Sequence, residues 1–412
     1  MLKRFKNLRK DLRILEKREL PYSGLSVEVP IIQVVNSLIE MAVQKEASDI
    51  HIEPGEGGLR FRLRIDGVLH EAGSPPLELQ HLILSRIKIM SSLDIAERRL
   101  PQDGSLVFQE GGRVINMRVS TLPTVFGEKI VLRLLDRDRI ILDINKLGLS
   151  TQNASLYQNF ILASHGMILV TGPTGCGKTT TLYSTLNHLN SPAKNIISVE
   201  DPVECYLEGV NQVQVKTKIG YSFGDALRTI LRQDPNIIMI GEIRDEETAE
   251  IATRAALTGH LVLTTLHTND ATKAITRLLD MGVKSFLLIS SLIGIIAQRL
   301  VRLLCPLCKE AYQISVQEEK MLCPELAGAV FYRHRGCSGC NHTGFKGRLA
   351  IHEVMALTEE MKSVISSNPS AADINLQANR DGLISLKEDG LAKAAQGLTT
   401  ISEVLRVIYT GV

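Results

Sequence analysis

Residues 172–179 combine three glycines, a lysine and a threonine at a spacing suited to phosphate chemistry. Glycines let consecutive backbone N–H groups turn inward around phosphate oxygens, and a following helix adds the positive end of its dipole. Lys178 can then reach the β- and γ-phosphates of a nucleotide, and the Thr179 hydroxyl can bind Mg²⁺. The segment predicts a nucleoside triphosphate site, whose alternative is a glycine-rich turn with a chance lysine. The binding positions are Gly172, Pro173, Thr174, Gly175, Cys176, Gly177, Lys178, Thr179 and Thr180, the first eight of which fit G-x-x-x-x-G-K-[ST] without a mismatch.

The elements that must position this loop can be read on both sides of it. The apolar run at 166–170 predicts a buried parallel strand. Residues 180–189 contain no glycine or proline and predict a helix. Further strands are predicted at 195–199, 237–240 and 261–265, separated by turns and helices. This alternation is typical of an α/β nucleotide-binding core.

Ionisable residues flank each of these three predicted strands. Carboxylates follow the first two in the segments 200–204 and 241–245, and two histidines flank the third. Ligands of a doubly wound sheet lie at the carboxyl ends of its parallel strands. Hydrolysis of a nucleotide needs one carboxylate to hold Mg²⁺ through water and another to orient or deprotonate the attacking water. Any one of these acids alone is more often a surface residue, but the three groups together favour hydrolysis over passive binding.

Composition limits the remaining possibilities. A chain of 412 residues predicts two or three domains. Its 47 Lys and Arg against 45 Asp and Glu give a net charge of +2, so no chain-wide basic field predicts nucleic-acid binding. The uncharged stretch 285–298 is shorter than the roughly 20 residues of a membrane span, and we expect a buried helix there. We expect no secretory leader, and the seven cysteines beside a nucleotide loop fit a reducing cytoplasm.

The residues before the loop predict a first α/β domain at 31–138. Helices are expected at 34–43 and 81–90, and strands at 49–53, 59–65, 114–120 and 129–135. Arginines recur on these strands at positions 60, 62, 64, 118 and 133. Such a row is usually a solvated sheet face, although guanidinium groups also suit phosphates. A linker at 139–150 leads to the second domain.

Residues 1–30 form a separate basic segment. Positions 1–20 carry eight Lys and Arg against three Asp and Glu, with leucines and a phenylalanine at helical spacing. This pattern predicts a basic amphipathic helix followed by a break at 21–24. The helix could lie on an anionic membrane surface or pack against another domain.

Four cysteines have the spacing of a metal site. They form two C-x₂-C pairs separated by 28 residues, namely Cys305, Cys308, Cys337 and Cys340. Two such pairs predict a closed, structural Cys₄ zinc site, whose alternative is four unrelated buried thiols. Cys323 lies between the pairs, and we do not expect it to bind metal. Zinc beside a nucleotide site also occurs in helicases, but the balanced charge, the lack of Trp and the 4% of aromatic residues leave little for base stacking.

Several segments resemble the secretion ATPases, the motors of type II secretion and type IV pilus systems. Residues 198–204 (SVEDPVE), 231–245 (LRQDPNIIMIGEIRD) and 258–271 (TGHLVLTTLHTNDA) resemble the Asp box, the Walker B motif and the His box of that family. Segments 47–54 (ASDIHIEP), 100–104 (LPQDG) and 296–308 (IAQRLVRLLCPLC) extend the resemblance over about 30–412. The number and order of these motifs make it specific.

The resemblance implies site residues. Glu204 corresponds to the Asp-box carboxylate and Glu242 to the Walker B carboxylate. His260 and His267 correspond to the His-box pair. The arginines that face the phosphates in the family correspond to Arg118, Arg133, Arg228 and Arg232. Two positions depart from the family pattern. Cys176 stands where a serine is common, and Asn236 stands where Asp is common, so no catalytic role is assigned to Asn236.

The resemblance also implies an architecture and an activity. The fold is an N-terminal PAS-like α/β domain at 31–138 and a RecA-like P-loop domain at 151–412, with a zinc-binding lobe at 300–345 and C-terminal helices at 353–412. The protein would be a cytoplasmic, hexameric ATPase, peripheral at the inner membrane, that uses ATP, Mg²⁺ and Zn²⁺ to drive pilus or pseudopilus assembly and secretion through a membrane platform protein. Larger members of the family carry an additional domain that docks on a membrane partner. In this sequence we expect only the basic helix at that position.

Three alternatives remain open. One is a zinc-containing nucleic-acid translocase or helicase, although we expect no nucleic-acid partner. Another is the motor of a DNA-uptake pseudopilus. The third is a scaffold that binds ATP without turnover, against which Lys178, Glu204 and Glu242 argue. The tetracysteine element resembles the assembly and secretion motors, whereas pilus retraction motors lack it.

Overall fold

The chain folds into two compact units, Met1–Arg139 and Ile140–Val412. The computed structural model describes residues 28–110, 112–135, 141–216, 219–319, 322, 326, 328–367 and 369–409. The basic helix predicted at 1–20, the first two residues of the predicted linker (139 and 140) and Cys323 lie outside the described residues. Within the described part of the chain, no helix is long and apolar enough to cross a membrane.

In its described residues, the first unit is a six-stranded antiparallel sheet with two helices. In order along the sheet its strands are β3-β2-β1-β6-β5-β4. Its elements in chain order are α1 (Glu28–Gln44), β1 (Asp49–Gly55), β2 (Gly58–Ile65), β3 (Val68–Gly73), a 3₁₀ turn (Leu77–Leu79), α2 (Gln80–Met90), β4 (Gln102–Glu110), β5 (Arg113–Thr124) and β6 (Gly127–Leu135).

Alternation along β1 explains how this sheet divides into an apolar and a charged face. Ile50 and Ile52 are buried in one cluster with apolar residues of both helices. Asp49 and Glu53 lie on the other face, where Arg62 donates to Glu53 at 2.8 Å and Arg133 Nε lies 2.9 Å from Asp49 Oδ1. The hydrogen bond from Arg62, with help from Lys129, lowers the pKa of Glu53 to about 2. The arginine row is therefore balanced by carboxylates on the central strand.

The second unit is built on a seven-stranded sheet in the order β15-β12-β7-β11-β10-β8-β9, parallel except for β15. Its elements are a 3₁₀ turn (Ile144–Lys146), α3 (Thr151–Ile161), β7 (Gly166–Thr171), α4 (Lys178–Leu189), β8 (Ile196–Glu200), β9 (Asn211–Gln214), α5 (Phe223–Ile230), β10 (Ile237–Ile240), α6 (Glu246–Leu257), β11 (Leu261–Leu266), α7 (Ala271–Asp280), α8 (Ser285–Ser291), β12 (Leu292–Leu304), β13 (Glu310–Tyr312), α9 (Val316–Glu319), β14 (Phe331–Arg333), a 3₁₀ turn (Ser338–Cys340), β15 (Phe345–Ala356), α10 (Glu359–Ser366), α11 (Ala371–Arg380), α12 (Leu386–Ala395) and α13 (Ile401–Tyr409).

The central strands of this sheet are buried on both faces. Every residue of β7, β8, β10 and β11 is buried, as expected for parallel strands covered by helices on both sides. The side chains pointing to the two faces belong to two separate apolar clusters. The prediction of short apolar runs as buried parallel strands is confirmed at all four.

The predicted helix at 285–298 is wrong. Helix α8 ends at Ser291, and residues from Leu292 onward form β12, which pairs in parallel with β7 and antiparallel with β15. A continuous apolar run without charges does not distinguish a strand from a helix by its period. The isoleucines after Ser291 favour a strand, and β12 completes the hydrogen bonds of β7 on the side away from β11.

The C-terminal helices are tied to β12 by an ion cluster. Strand β15 extends to Ala356, so these helices begin at Glu359 rather than at 353. Glu403 of α13 accepts hydrogen bonds from Arg302 of β12 at 2.8 Å and from Arg406 at 2.7 Å. Burial alone raises the pKa of Glu403, but the two guanidinium groups outweigh it and bring the pKa to about 2.

Candidate nucleotide site and cysteine cluster

The glycine-rich loop joins β7 to α4. Gly172, Gly175 and Gly177 have φ values of 150°, 78° and 94°, which L side chains rarely adopt. A Cβ on Gly172 would lie 2.5 Å from Cys176 Sγ and 2.5 Å from the Gln298 carbonyl oxygen. Glycine is therefore required at this position by both conformation and space. Thr174 and Gly175 are exposed, whereas the Cys176 side chain is buried, and its burial raises the pKa of the thiol.

Lys178 begins α4 and folds over the loop. Its Nζ donates to the carbonyl oxygens of Gly172 at 2.8 Å and Pro173 at 3.0 Å. Burial lowers the pKa of Lys178, and the charge of Glu242 is among the groups that act on it. An ammonium group has three donors, so phosphate oxygens can compete with these carbonyls. Thr179 follows in the first turn of the helix and is exposed, and Thr180 is half-buried.

Glu242 follows β10 at the same edge of the sheet. Arg244 donates to Glu242 Oε1, and His267 Nε2 lies 3.2 Å from Glu242 Oε2. Burial raises the pKa of Glu242, but the hydrogen bond and charge of Arg244, together with His267, outweigh it and hold the pKa below its usual range. Arg244 also lies 3.6 Å from Asp201, which follows β8. The arrangement provides an ionised carboxylate oriented by a guanidinium and an imidazole.

The two glutamates of the segment 200–204 have different environments. Glu200 is buried and accepts hydrogen bonds from Ser198 at 2.6 Å, from Gln212 at 3.2 Å and from the Tyr183 hydroxyl. Glu204 is half-buried, and its backbone N–H donates to the Tyr183 hydroxyl at 3.3 Å. Tyr183 therefore connects α4 to this segment, and its burial raises its pKa. Nothing in the sequence marks Tyr183, and the residue types of 200–204 alone do not distinguish the two glutamates, of which the family resemblance selects Glu204.

The two histidines of the predicted pair lie at opposite ends of β11. Leu266 is paired with Thr171 of β7, so His267 follows at the edge where the phosphate loop begins. His260 precedes the strand, and its Nδ1 lies 2.9 Å from the Ala255 carbonyl oxygen. A strand of this length spans about 20 Å. The structure therefore brings His267, and not His260, to Glu242.

The four predicted arginines lie in two places. Arg228 of α5 forms ion pairs with Glu247 and, at 3.7 Å, with Asp225, and its side chain is 51% exposed. Arg232 Nη1 donates to the carbonyl oxygen of Arg228 at 2.8 Å. Arg118 and Arg133 belong to the first unit, where they are directly opposite each other on β5 and β6. The bonds of Arg228 and Arg232 thus go to their own helix and to α6.

The four predicted metal ligands form one cluster. Their sulfur atoms lie within 4.8 Å of one another, with 3.9 Å between Cys305 and Cys337, 3.8 Å between Cys308 and Cys340, and 3.8 Å between Cys337 and Cys340. Four sulfurs placed tetrahedrally at about 2.3 Å from zinc would be about 3.8 Å apart. The backbone N–H groups of Cys337 and Gly344 donate to Cys340 Sγ at 3.2 and 3.1 Å, which favours a thiolate. The cluster therefore has the donor set and spacing of a closed divalent-metal site.

Comparison with known proteins finds a matching family and several relatives. Residues 25–406 match the family described as type II/IV secretion system protein. The type II secretion system ATPase E of Vibrio cholerae is 47% identical over 92% of this chain and 76% of its own length. The type IV pilus assembly ATPase PilB of Myxococcus xanthus is 50% identical over 92% of this chain and 68% of its own.

The chain belongs to this family. The prediction of an ATP-hydrolysing member of the secretion ATPase superfamily is confirmed, and the family implies ATP with a divalent metal. The crystal structure of the ATPase DotB of Legionella pneumophila has the same fold, with a TM-score of 0.67 and 20% identity over 96% of this chain and 98% of that one. The predicted fold class, an N-terminal α/β domain followed by an ATPase domain, is likewise confirmed.

Proposed function

We propose that this chain is a motor that hydrolyses ATP with Mg²⁺ and drives pilus or pseudopilus assembly and protein secretion through an inner-membrane platform protein. The observation that carries the proposal is the edge of the sheet that holds Lys178 in the phosphate loop and Glu242 against His267, in a chain about half identical to a secretion ATPase and to a pilus assembly ATPase. The use of ATP supports a place on the cytoplasmic side of that membrane, as a peripheral protein.

Each residue of the edge has a role in this proposal. Lys178 exchanges its two carbonyl partners for β- and γ-phosphate oxygens, and the Thr179 hydroxyl helps to hold the metal. Mg²⁺ supplies positive charge that offsets the charge on the phosphates. Glu242 Oε2 orients the attacking water and receives its proton, and His267 holds that carboxylate in place. Glu204 would supply the second carboxylate, which could help to hold the metal.

The function is tested by removing the gene and restoring it with variants. We expect loss of surface pili or of secreted proteins from the medium, with recovery from the wild-type gene and none from Lys178→Ala. Loss of pili alone favours the assembly role, and loss of secreted proteins alone favours type II secretion. Unchanged pili and unchanged secretion in the deleted strain would contradict the motor proposal.

The proposed reaction also needs positive charge from arginines, which we expect a ring of several chains to supply. The phosphate loop contributes Lys178 as its one cationic side chain, whereas phosphoryl transfer commonly recruits arginines as well. We propose that the chain forms a hexamer and that Arg118, Arg133, Arg228 and Arg232 supply this charge within the ring. Arg133 would then exchange part of its pairing with Asp49 for a phosphate.

We expect Arg118→Ala or Arg133→Ala to lower kcat about 10- to 100-fold with a smaller change in ATP affinity, because a charge-assisted contact contributes about 1.5–3 kcal/mol. Arg99→Ala, an exposed residue paired with Glu97 in the same unit, is the control. Hydrolysis per chain should also rise with protein concentration as the ring assembles. Activity per chain that is independent of concentration, with both arginine variants at the wild-type rate, would favour a structural sheet face instead.

We propose that the cysteine cluster holds one structural zinc ion. The Cys₄ donor set and the sulfur spacing support zinc, and loss of the ion should release the lobe that the four cysteines hold together. We expect about one zinc per chain by elemental analysis, and loss of that zinc in the double variant Cys337→Ser, Cys340→Ser. Cys205→Ser, a buried cysteine outside the cluster, should retain it. Wild-type protein without zinc, purified under reducing conditions and without chelator, would contradict this proposal.

A further inference from the structure

Gln298 lies directly beneath the phosphate loop. Strand β12 is paired with β7 up to the register Ala297–Thr171, where β7 ends and the loop begins. Gln298 is the next residue of β12, and it is only 1% exposed. A buried amide is retained without large cost only where its hydrogen bonds are made.

Both ends of the Gln298 amide bond to the phosphate-binding segment. Nε2 donates to the carbonyl oxygen of Cys176 at 2.7 Å, and Oε1 accepts from the Thr181 hydroxyl at 2.8 Å. Cys176 is in the loop, and Thr181 is in the first turn of α4. One side chain from a strand more than a hundred residues away therefore joins the loop to its helix.

The glycines of the loop make room for this contact. A Cβ on Gly172 would lie 2.5 Å from the Gln298 backbone oxygen, and one on Gly177 would lie 3.1 Å from Gln298 Nε2. A Cβ on Gly175 would meet nothing within 4 Å. Two of the three glycines are thus in close approach to Gln298, which ties this residue to the motif itself.

We propose that Gln298 is a positioning residue for nucleotide binding, an inference that rests on the proposed ATP site. In a planar trans peptide the carbonyl and the next N–H point in opposite directions. By holding the Cys176 carbonyl on the side of β12, Gln298 directs the Gly177 N–H to the other side, where loop N–H groups receive phosphate oxygens. Gln298 therefore acts through the loop and does not itself contact the nucleotide.

The first test is the affinity for ADP of Gln298→Leu, which has a similar volume but no polar atoms. We expect Kd to rise about 3- to 10-fold, the effect of one net hydrogen bond, and KM for ATP to rise more than kcat falls. Thr399→Val is the matched control, because the buried Thr399 hydroxyl donates to the carbonyl oxygen of Arg302 at 2.8 Å, which lies on the strand of Gln298 but away from the loop. The control should lower thermal stability and leave Kd unchanged.

The second test uses Gln298→Glu and pH. Burial raises the pKa of such a carboxyl group, and the neutral form can donate to the Cys176 carbonyl as the amide does. The ionised form instead places a second acceptor against that carbonyl. The ADP affinity of this variant is compared with that of the wild type at each pH, and it should recover toward the wild-type value as the pH falls from 8 to 6. A loss of packing alone would not depend on pH in this way.

The outcomes separate the alternatives. Gln298→Leu and Gln298→Glu with wild-type ADP affinity at both pH values, and only reduced melting temperatures, would overturn the inference. If neither variant folds, Thr181→Val removes one of the two bonds, and an unchanged Kd in that variant overturns the inference equally. Wild-type protein that binds no ADP would instead contradict the proposed function on which the inference rests.

Discussion

Replacing Lys178 with alanine is expected to lower ATP turnover by about 10³-fold, because one positioned donor to the transferring group contributes roughly that much. Among the described residues, this ammonium bonds to the carbonyl oxygens of Gly172 and Pro173 and to no other group, and Lys178 belongs to none of the apolar clusters. The variant should therefore remain folded. Phosphate release by purified protein, with circular dichroism and the melting temperature measured on the same samples, checks both parts.

The matched control is Lys194→Ala, an exposed lysine of the same unit that precedes β8. It should retain wild-type turnover. If a folded Lys178→Ala protein hydrolysed ATP at the normal steady-state rate, neither Lys178 nor the phosphate loop would take part in the reaction.

The second large effect is expected from Glu242→Gln. The substitution keeps the shape of the side chain and leaves the phosphate loop unchanged, so ATP affinity should change little. Loss of a general base lowers rates by about 10²–10⁴-fold. Since Arg244 and His267 keep the pKa of Glu242 below its usual range, this carboxylate stays ionised at neutral pH and can accept a proton. Equilibrium ATP binding and phosphate release, measured on one preparation, separate the two steps.

Glu250→Gln is the control for this variant. Glu250 is paired with Arg254 on the exposed face of α6, where such a pair contributes little to stability, and the change should leave both binding and hydrolysis unaffected. If Glu242→Gln abolishes ATP binding along with hydrolysis, the carboxylate is mainly a structural partner of Arg244 and His267.

The sequence was informative where the signal is local. The phosphate loop is contiguous, and its flanking strand and helix follow from a short apolar run and from the absence of Gly and Pro, so β7 and α4 were predicted within two residues. The short runs that became β8, β10 and β11 were found for the same reason. The cysteine pairs were also recognisable, because C-x₂-C is a local pattern, and their convergence at the distances of a metal site agrees with it.

What was missed depends on contacts between distant segments. The stretch 285–298 was interpreted as one helix because nothing local reveals that β7 needs a partner on its second side. Gln298 meets Cys176 across 122 residues, a separation at which residue type carries no signal. His260 and His267 are near in sequence, but β11 between them holds them at opposite edges of the sheet. Spacing could not show that, because it depends on the length of the strand.

The central claim, that this edge of the sheet binds ATP and that Glu242 promotes its cleavage, is tested most directly by identifying the nucleotide that remains bound after reaction. Wild-type and Glu242→Gln proteins would be incubated with ATP and Mg²⁺, separated rapidly from free nucleotide and denatured, and the released nucleotide would be resolved by chromatography. The account predicts ADP from the wild-type protein and predominantly ATP from the variant. ADP from both proteins in equal amounts, or nucleotide from neither, would contradict it.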